Sequence, residues 1–361
     1  MRIFVDIAHP AYFHFLRNFI KIMESKGHHF LISAKDKDVT LELFEHYNVK
    51  YYNRGKAANS LMGKAFNIIK TDFKLFRQVR GFNPDLVISL SSPVATHISF
   101  FLRKPCIAFE DTECAGLVHK SYLPFSNVVI TPSCFNKNFG EKQIAISSYK
   151  ELGYLHPKYF SPNKNIYESL GIGVNEKYSI VRFVSHHAIH DRGISWLSEE
   201  DRVNLVNTLS SFSKVFISSE EPLSPNLEGY CLKTQPWELH SVIANASLLV
   251  GESATMAAES AMLGVPSIFI DSQGRGYTNE LEEKYELVYN YKPTQEGFNY
   301  ALNKAVDILK THDQPNAFQA LKEKMLSHKI DVTSFLVWFI ENYPKSAETM
   351  RSNPEFQYNF K

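Results

Sequence analysis

Three carboxylates fall within four residues in FEDTECAG, residues 109–116, where Glu110, Asp111 and Glu113 follow a short apolar run. Carboxylates crowded at the end of a strand repel one another, and that repulsion can lift one of them into the range a general base needs. Asp111 and Glu113 are the candidates; the alternative is a solvated turn that also caps the next helix. Asp6, His9 and His14 lie at and just after the first apolar run. His9 precedes Pro10, which disfavours helix and places it in an exposed loop, where it could bind an acceptor or pass a proton rather than serve as polar surface.

The second half carries GESATMAAESAMLGVP (residues 251–266) ahead of SIFI. A small-residue turn entering a helix lets backbone approach a diphosphate, and the helix dipole favours the anion, so Gly251, Ser253 and Thr255 are candidate nucleotide contacts. Glu259 stands five residues before Gly264 beside Ala257, Ala258 and Ala261, a setting that reads as buried rather than solvated. In VRFVSHHAIHDR (residues 181–192), Arg182, Ser185, His186, His187, His190 and Arg192 could neutralise a leaving diphosphate. HHxxH resembles a zinc site, but no Cys or carboxylate completes the set and adjacent strand histidines point to opposite faces, so no metal is expected. The Asp36-Lys37-Asp38 triplet is read as a solvated loop. No GxxxxGK[ST], GxSxG or GxGxxG with an acidic partner is present, which removes the usual phosphoryl-transfer, hydrolase and dinucleotide readings.

Alternating elements must position these groups. Residues 2–7 form an apolar strand, 12–26 carry Phe13, Leu16, Phe19, Ile20 and Met23 at helical spacing up to Gly27, and 30–34, 85–89, 105–109 and 127–131 continue as strands. After a Pro-punctuated linker at 151–163 the pattern restarts, with strands at 178–184, 214–218, 248–251 and 266–271 and helices near 199–211, 236–246, 254–263 and 278–286. Strands separated by helices predict an α/β chain of two Rossmann-like, doubly wound domains, 1–157 on the acceptor side and 158–332 on the donor side. Such sheets bind ligands beyond their carboxyl ends, which places the function in a cleft between the two. Residues 333–342 form an apolar helix, assigned with the rest of 333–361 to a terminal segment that could pack back on the first domain and ends in a loose polar tail.

At 361 residues, 44% hydrophobic and 21% charged, the chain suffices for about two globular domains. The net charge of +1 conceals 21 Lys+Arg against 13 Asp+Glu in residues 1–160 and 18 against 25 in 161–361. That split suggests an anionic partner for the first half and argues against nucleic acid as the main ligand. Four cysteines without CxxC spacing are read as small core residues in a reducing compartment. The start lacks the pattern of a secretory signal and no run reaches the length of a membrane span, which predicts a cytoplasmic protein. Residues 64–82 read as a basic amphipathic helix whose charges spread around the wheel; this favours packing on the core, with peripheral contact at the inner face of a membrane as the alternative.

The 251–266 run resembles the donor-site motif of GT-B sugar-nucleotide enzymes, among them the N-acetylglucosaminyltransferase of peptidoglycan synthesis and UDP-N-acetylglucosamine 2-epimerases. With IAHP, FEDTE, YLHP and VRFVSHH in order, residues 1–335 are similar to the family called domain of unknown function 354, which shares the GT-B fold. The resemblance implies that Glu259 accepts the ribose hydroxyls and that the base comes from the first domain. It implies a metal-independent glycosyltransferase with no cofactor, taking a UDP-sugar donor and a glycan or lipid-linked acceptor in glycan or surface polysaccharide synthesis. The alternatives are a UDP-N-acetylglucosamine 2-epimerase-like enzyme and a non-catalytic nucleotide-binding module. VRFVSHH departs from the fuller His-Arg pattern of the epimerases, which puts transfer first.

Overall fold

Apolar residues buried on both faces of a strand need helices on both sides of the sheet, and RIFVDI, buried after its first residue, makes such a strand. The computed structural model describes residues 1–37, 39–56, 73–174, 176–185, 197–311 and 314–361. It divides into one unit of Met1–Tyr154 with Lys329–Lys361 and another of Leu155–His328.

In the first unit the strands are β1 (Arg2–Ile7), β2 (His29–Asp36), β3 (Tyr52–Lys56), β4 (Leu86–Leu90), β5 (Cys106–Phe109), β6 (Val128–Pro132) and β7 (Gln143–Ile146). They pair in parallel in the order β3-β2-β1-β4-β5-β6-β7. The crossovers carry α1 (Pro10–Ser25), α2 (Thr40–His46), α3 (73–82), α4 (Pro93–Leu102) and α5 (Gly116–Tyr122). α1 begins with Pro10 behind the N-cap His9 and stops at Gly27, whose φ of 85° is open to glycine at little cost. α6 (Leu152–Leu155) follows where the chain leaves this unit.

The second unit contains α7 (Ile166–Ser169), β8 (Tyr178–Phe183), α8 (Glu199–Ser210), β9 (Lys214–Ser219), α9 (Leu239–Ala244), β10 (Leu248–Gly251), α10 (Ala254–Leu263), β11 (Ser267–Ile270), α11 (Gly276–Glu283), β12 (Val288–Tyr291), α12 (Gln295–Lys310) and α13 (Gln314–His328). Its strands pair in parallel in the order β12-β11-β10-β8-β9 over a core that includes Val181, Ile217, Leu248, Ile268 and Phe298. Both units are therefore Rossmann-like. The strand order turns back between β1 and β4 in one and between β8 and β10 in the other, the place where open α/β sheets leave a crevice beyond their strand ends.

α14 (Val332–Glu341) and α15 (Lys345–Ser352) complete the first unit. Thr333 Oγ1 and Asn18 Nδ2 both donate to the Gly153 carbonyl, at 3.2 and 2.9 Å, and a Cβ on Gly153 would meet the Phe15 ring at 2.8 Å. The polar tail is not loose as expected: residues 345–352 are helical and 354–360 form a 3-10 helix. Trp338 stacks on Phe356 at 4.7 Å, and Ser147 donates to Gln357 at 2.6 Å. Tail aromatics masked by Asn, Glu and Lys in the sequence supply the apolar contact.

Three more expectations are corrected. Asp36 ends β2 and is half-buried rather than sitting in a solvated loop, while Asp38 lies outside the described residues. Cys106 is a core residue, but Cys231 is exposed and Cys114 and Cys134 are half-buried, so four core cysteines reduce to one. The helix expected at 236–246 begins as a 3-10 turn over Pro236–Glu238, is α-helical over Leu239–Ala244 and ends there. Among the described residues no helix is long and apolar enough to cross a membrane.

Candidate functional site

In the first unit the acidic loop leaves β5 beside the turn of the sheet order. Glu110 is buried, and its carboxylate accepts from the Tyr122 hydroxyl at 2.6 Å, the Ser91 hydroxyl at 2.8 Å and the backbone N–H groups of Asp111 and Thr112 at 3.1 and 2.9 Å. His119 Nε2 lies 3.2 Å from it. A carboxylate so fully bonded braces the loop. Asp111 instead faces Lys150, whose Nζ donates to Oδ2 at 2.6 Å, and Glu113 accepts from the Asn136 backbone at 3.2 Å. The three carboxylates thus turn to different partners, each with a separate donor at the strand end.

Asp111, Lys150 and Tyr12 line a narrow recess of about 30 Å³, with Phe15, Leu90 and Val332 among its apolar walls. Burial raises the Tyr12 phenol well above its ordinary pKa, and the negative charges of Asp111 and Glu110 add to this. The Lys150 ammonium stands 5.8 Å from the Tyr12 ring centre. His9 is half-buried as the N-cap of α1, with Nδ1 accepting from the Ala11 backbone at 3.2 Å, rather than in an exposed loop. His14 is buried in α1 against the Tyr154 ring. Asp6 is wholly buried and holds Ser33 at 2.5 Å, Arg54 at 2.9 Å and the Ser92 hydroxyl. It ties β1, β2, β3 and the start of α4 together at the strand ends.

In the second unit β8 and β10 flank the turn of the sheet order. Gly251 pairs with Arg182 there, and a Cβ on Gly251 would clash with the Arg182 carbonyl oxygen. Close strand approach is therefore a sufficient reason for this glycine, one that a diphosphate reading of the sequence overlooks. Ser253 caps α10 by accepting from the Met256 N–H at 3.3 Å, and half-buried Thr255 opens the helix beside it. Glu259, only 4% exposed, has Oε1 3.0 Å from Nε2 of buried His240 on α9. The sequence reading of Glu259 as buried holds, and His240 is its unforeseen partner.

Arg182 Nη1 donates to Ser218 at 2.9 Å and Nη2 pairs with Glu220, which also accepts from the Ser185 N–H at 3.0 Å and its hydroxyl at 2.9 Å. Burial pushes Glu220 up, but the Ser185 backbone donor and the Arg182 charge outweigh it and hold the carboxyl below its ordinary value. An anion at Arg182 and Ser185 must therefore displace Glu220. One strand over, burial raises Glu252 above the ordinary carboxylate range against the pull of Arg202. Val184 N–H donates to Glu252 at 3.3 Å, and the Arg202 guanidinium lies over the Phe183 ring at 4.6 Å.

His186, His187, His190 and Arg192 lie outside the described residues. Among the described residues, no three His, Cys, Asp or Glu side chains gather as a metal ion would need. The groups missed in the sequence are Lys150, Tyr12, His119, His240, Glu220 and Glu252. Of these, Glu220 and Glu252 directly follow β9 and β10, so asking which charged residues succeed each strand finds them.

Each of the two units is Rossmann-like, with polar groups gathered where its strand order turns back. The chain belongs to the family described as protein of unknown function (DUF354), which matches residues 1–314. An uncharacterised protein of Methanocaldococcus jannaschii is 23% identical over 331 residues, covering 86% of this chain and 94% of that one. Among solved structures, the UDP-GlcNAc 2-epimerase of Neisseria meningitidis bound to UDP-GlcNAc is 12% identical with a TM-score of 0.62, covering 91% of this chain and 100% of that one. The spinosyn rhamnosyltransferase SpnG complexed with spinosyn aglycone is 11% identical with a TM-score of 0.62, covering 95% and 100%. At such identity the likeness shows the fold, GT-B, which two chemistries share.

Proposed function

We propose that this protein is a metal-independent glycosyltransferase whose second unit binds a UDP-sugar at the ends of β8 and β10 and whose first unit binds the acceptor. The reading rests above all on Glu259, a buried carboxylate oriented by His240 on the helix that Ser253 caps. A helix N-terminus at a turn of sheet order suits a diphosphate, and a fixed carboxylate further along suits paired ribose hydroxyls. The recess beside Asp111 supports transfer, since it has room for one acceptor hydroxyl against the carboxylate, with the rest of the acceptor outside it. Asp111 is the base in this reading, with Glu113 and then His9 as the next candidates. Arg182, Ser185 and His187 answer the diphosphate once Glu220 is displaced.

A sugar-nucleotide 2-epimerase is the second reading, since an epimerase shares the fold over 91% of this chain as the rhamnosyltransferase does over 95%. The test is to incubate the protein with UDP-sugars, with and without lipid-linked acceptors, and follow both free UDP and sugar identity. Acceptor-dependent UDP release supports transfer. An epimerised sugar still joined to UDP refutes it in favour of epimerisation, and no binding of any nucleotide sugar removes both.

A further inference from the structure

Three exposed phenylalanines crowd one part of the first unit: Phe73 (67% exposed), Phe100 (58%) and Phe101 (71%). Phe76 reaches the Phe101 ring at 6.4 Å, and Phe100 lies 5.8 Å from Phe101 and 5.2 Å from Phe125, so α3, the end of α4 and the chain after α5 share this aromatic surface. Leu75 and Val79 of α3 are buried, as a core-packed helix requires. Helical spacing sets Phe73, Phe76, Arg77 and Arg80 on one stripe, because residues three and four apart are neighbours. Arg103 and Lys104 follow Phe101, and they line one hollow with Phe100, Phe125 and Lys142.

The charged residues that line this hollow, Arg103, Lys104 and Lys142, are all cationic. No Asp or Glu occurs between Asp85 and Glu110, nor between Glu113 and Glu141. Arg103 also holds a φ of 54° at the C-cap of α4, a left-handed position at which glycine is the usual residue. Water-exposed phenylalanines beside these cations complement a surface that is apolar within and anionic at its rim.

We propose that this face docks on an anionic lipid bilayer, with Phe100 and Phe101 entering the headgroup boundary and Arg77, Arg80, Arg103 and Lys104 meeting lipid phosphates. The inference does not depend on the catalytic reading, since none of these residues belongs to either candidate site.

The full chain is sedimented with vesicles of about 30 mol% phosphatidylglycerol in phosphatidylcholine, and with pure phosphatidylcholine, at low and high salt. Binding is expected to the anionic vesicles, weakening with salt and falling sharply on the neutral ones. Phe100→Ser with Phe101→Ser lowers the partition coefficient about tenfold or more. Arg103→Gln and Lys104→Gln lower it roughly fivefold each. All variants keep the wild-type melting temperature, because the replaced side chains are at the surface. No binding to anionic vesicles, or binding untouched by the phenylalanine pair, overturns the proposal. It is equally overturned if ultracentrifugation shows self-association that the same pair abolishes while vesicles are ignored, because the face is then a protein interface.

Discussion

Nε2 of His240 stands 3.0 Å from Oε1 of Glu259, with both side chains almost wholly out of water. A carboxylate removed from solvent needs such a partner, and the partner fixes its orientation. In Glu259→Ala, UDP affinity is expected to fall by about 1–3 kcal/mol while the protein still folds, since a charged acceptor of hydroxyl groups is lost. Calorimetry with UDP reads the change. A folded variant with the wild-type dissociation constant removes Glu259 from the nucleotide site.

Gly251 separates packing from binding. Its replacement by alanine sets a Cβ against the Arg182 backbone, so Gly251→Ala is expected to destabilise the protein by about 1–3 kcal/mol whether or not nucleotide is present. The melting temperature should fall equally with and without UDP. Unchanged stability with weakened UDP affinity gives the position to the ligand instead.

How far such details could be read from the sequence depended on the physics of each element. β1 and the 251–266 run were legible because buried apolar runs and a capped, glycine-ended helix leave local signatures. The sheet-edge strands β3 (YNRGK) and β12 (VYNY) were not, for edge strands are partly exposed and need no apolar run. FEDTE was recognised as a strand-end acidic loop, but the donor that each carboxylate takes was hidden. These donors, Lys150, Ser91, Tyr122 and Asn136, come together only through the sheet order.

Glu220 gives a pH signature. Its carboxyl is held below the ordinary value of 4.5 in the folded protein, so the unfolded chain takes up the proton first as pH falls. The stability it contributes is present above pH 4.5 and is lost as pH drops through the lower, folded value. Wild type should therefore melt higher than Glu220→Gln near neutrality, and the gap should close below pH 4.5. A gap that stays constant with pH shows that the pairing with Arg182 and Ser185 does not depend on the charge.

The chemistry is tested at the first unit's strand end, where Asp111 shares Lys150 at 2.6 Å beside the recess and Glu113 is bound to the Asn136 backbone. A base must reach an acceptor hydroxyl, and the recess provides space next to Asp111 for one. Asp111→Asn is expected to keep donor affinity and melting temperature but lose about a hundredfold or more in turnover, because an amide can hold the position without taking a proton. Glu113→Gln should change turnover far less if its carboxylate serves the Asn136 contact. Donor affinity, melting temperature and turnover are measured on both variants with each nucleotide sugar that wild type uses. A fall in stability matching the fall in rate makes Asp111 a structural partner of Lys150, and wild-type turnover in both variants moves the base to His9, whose Nδ1 is already engaged as the α1 cap and whose Nε2 must then carry the proton.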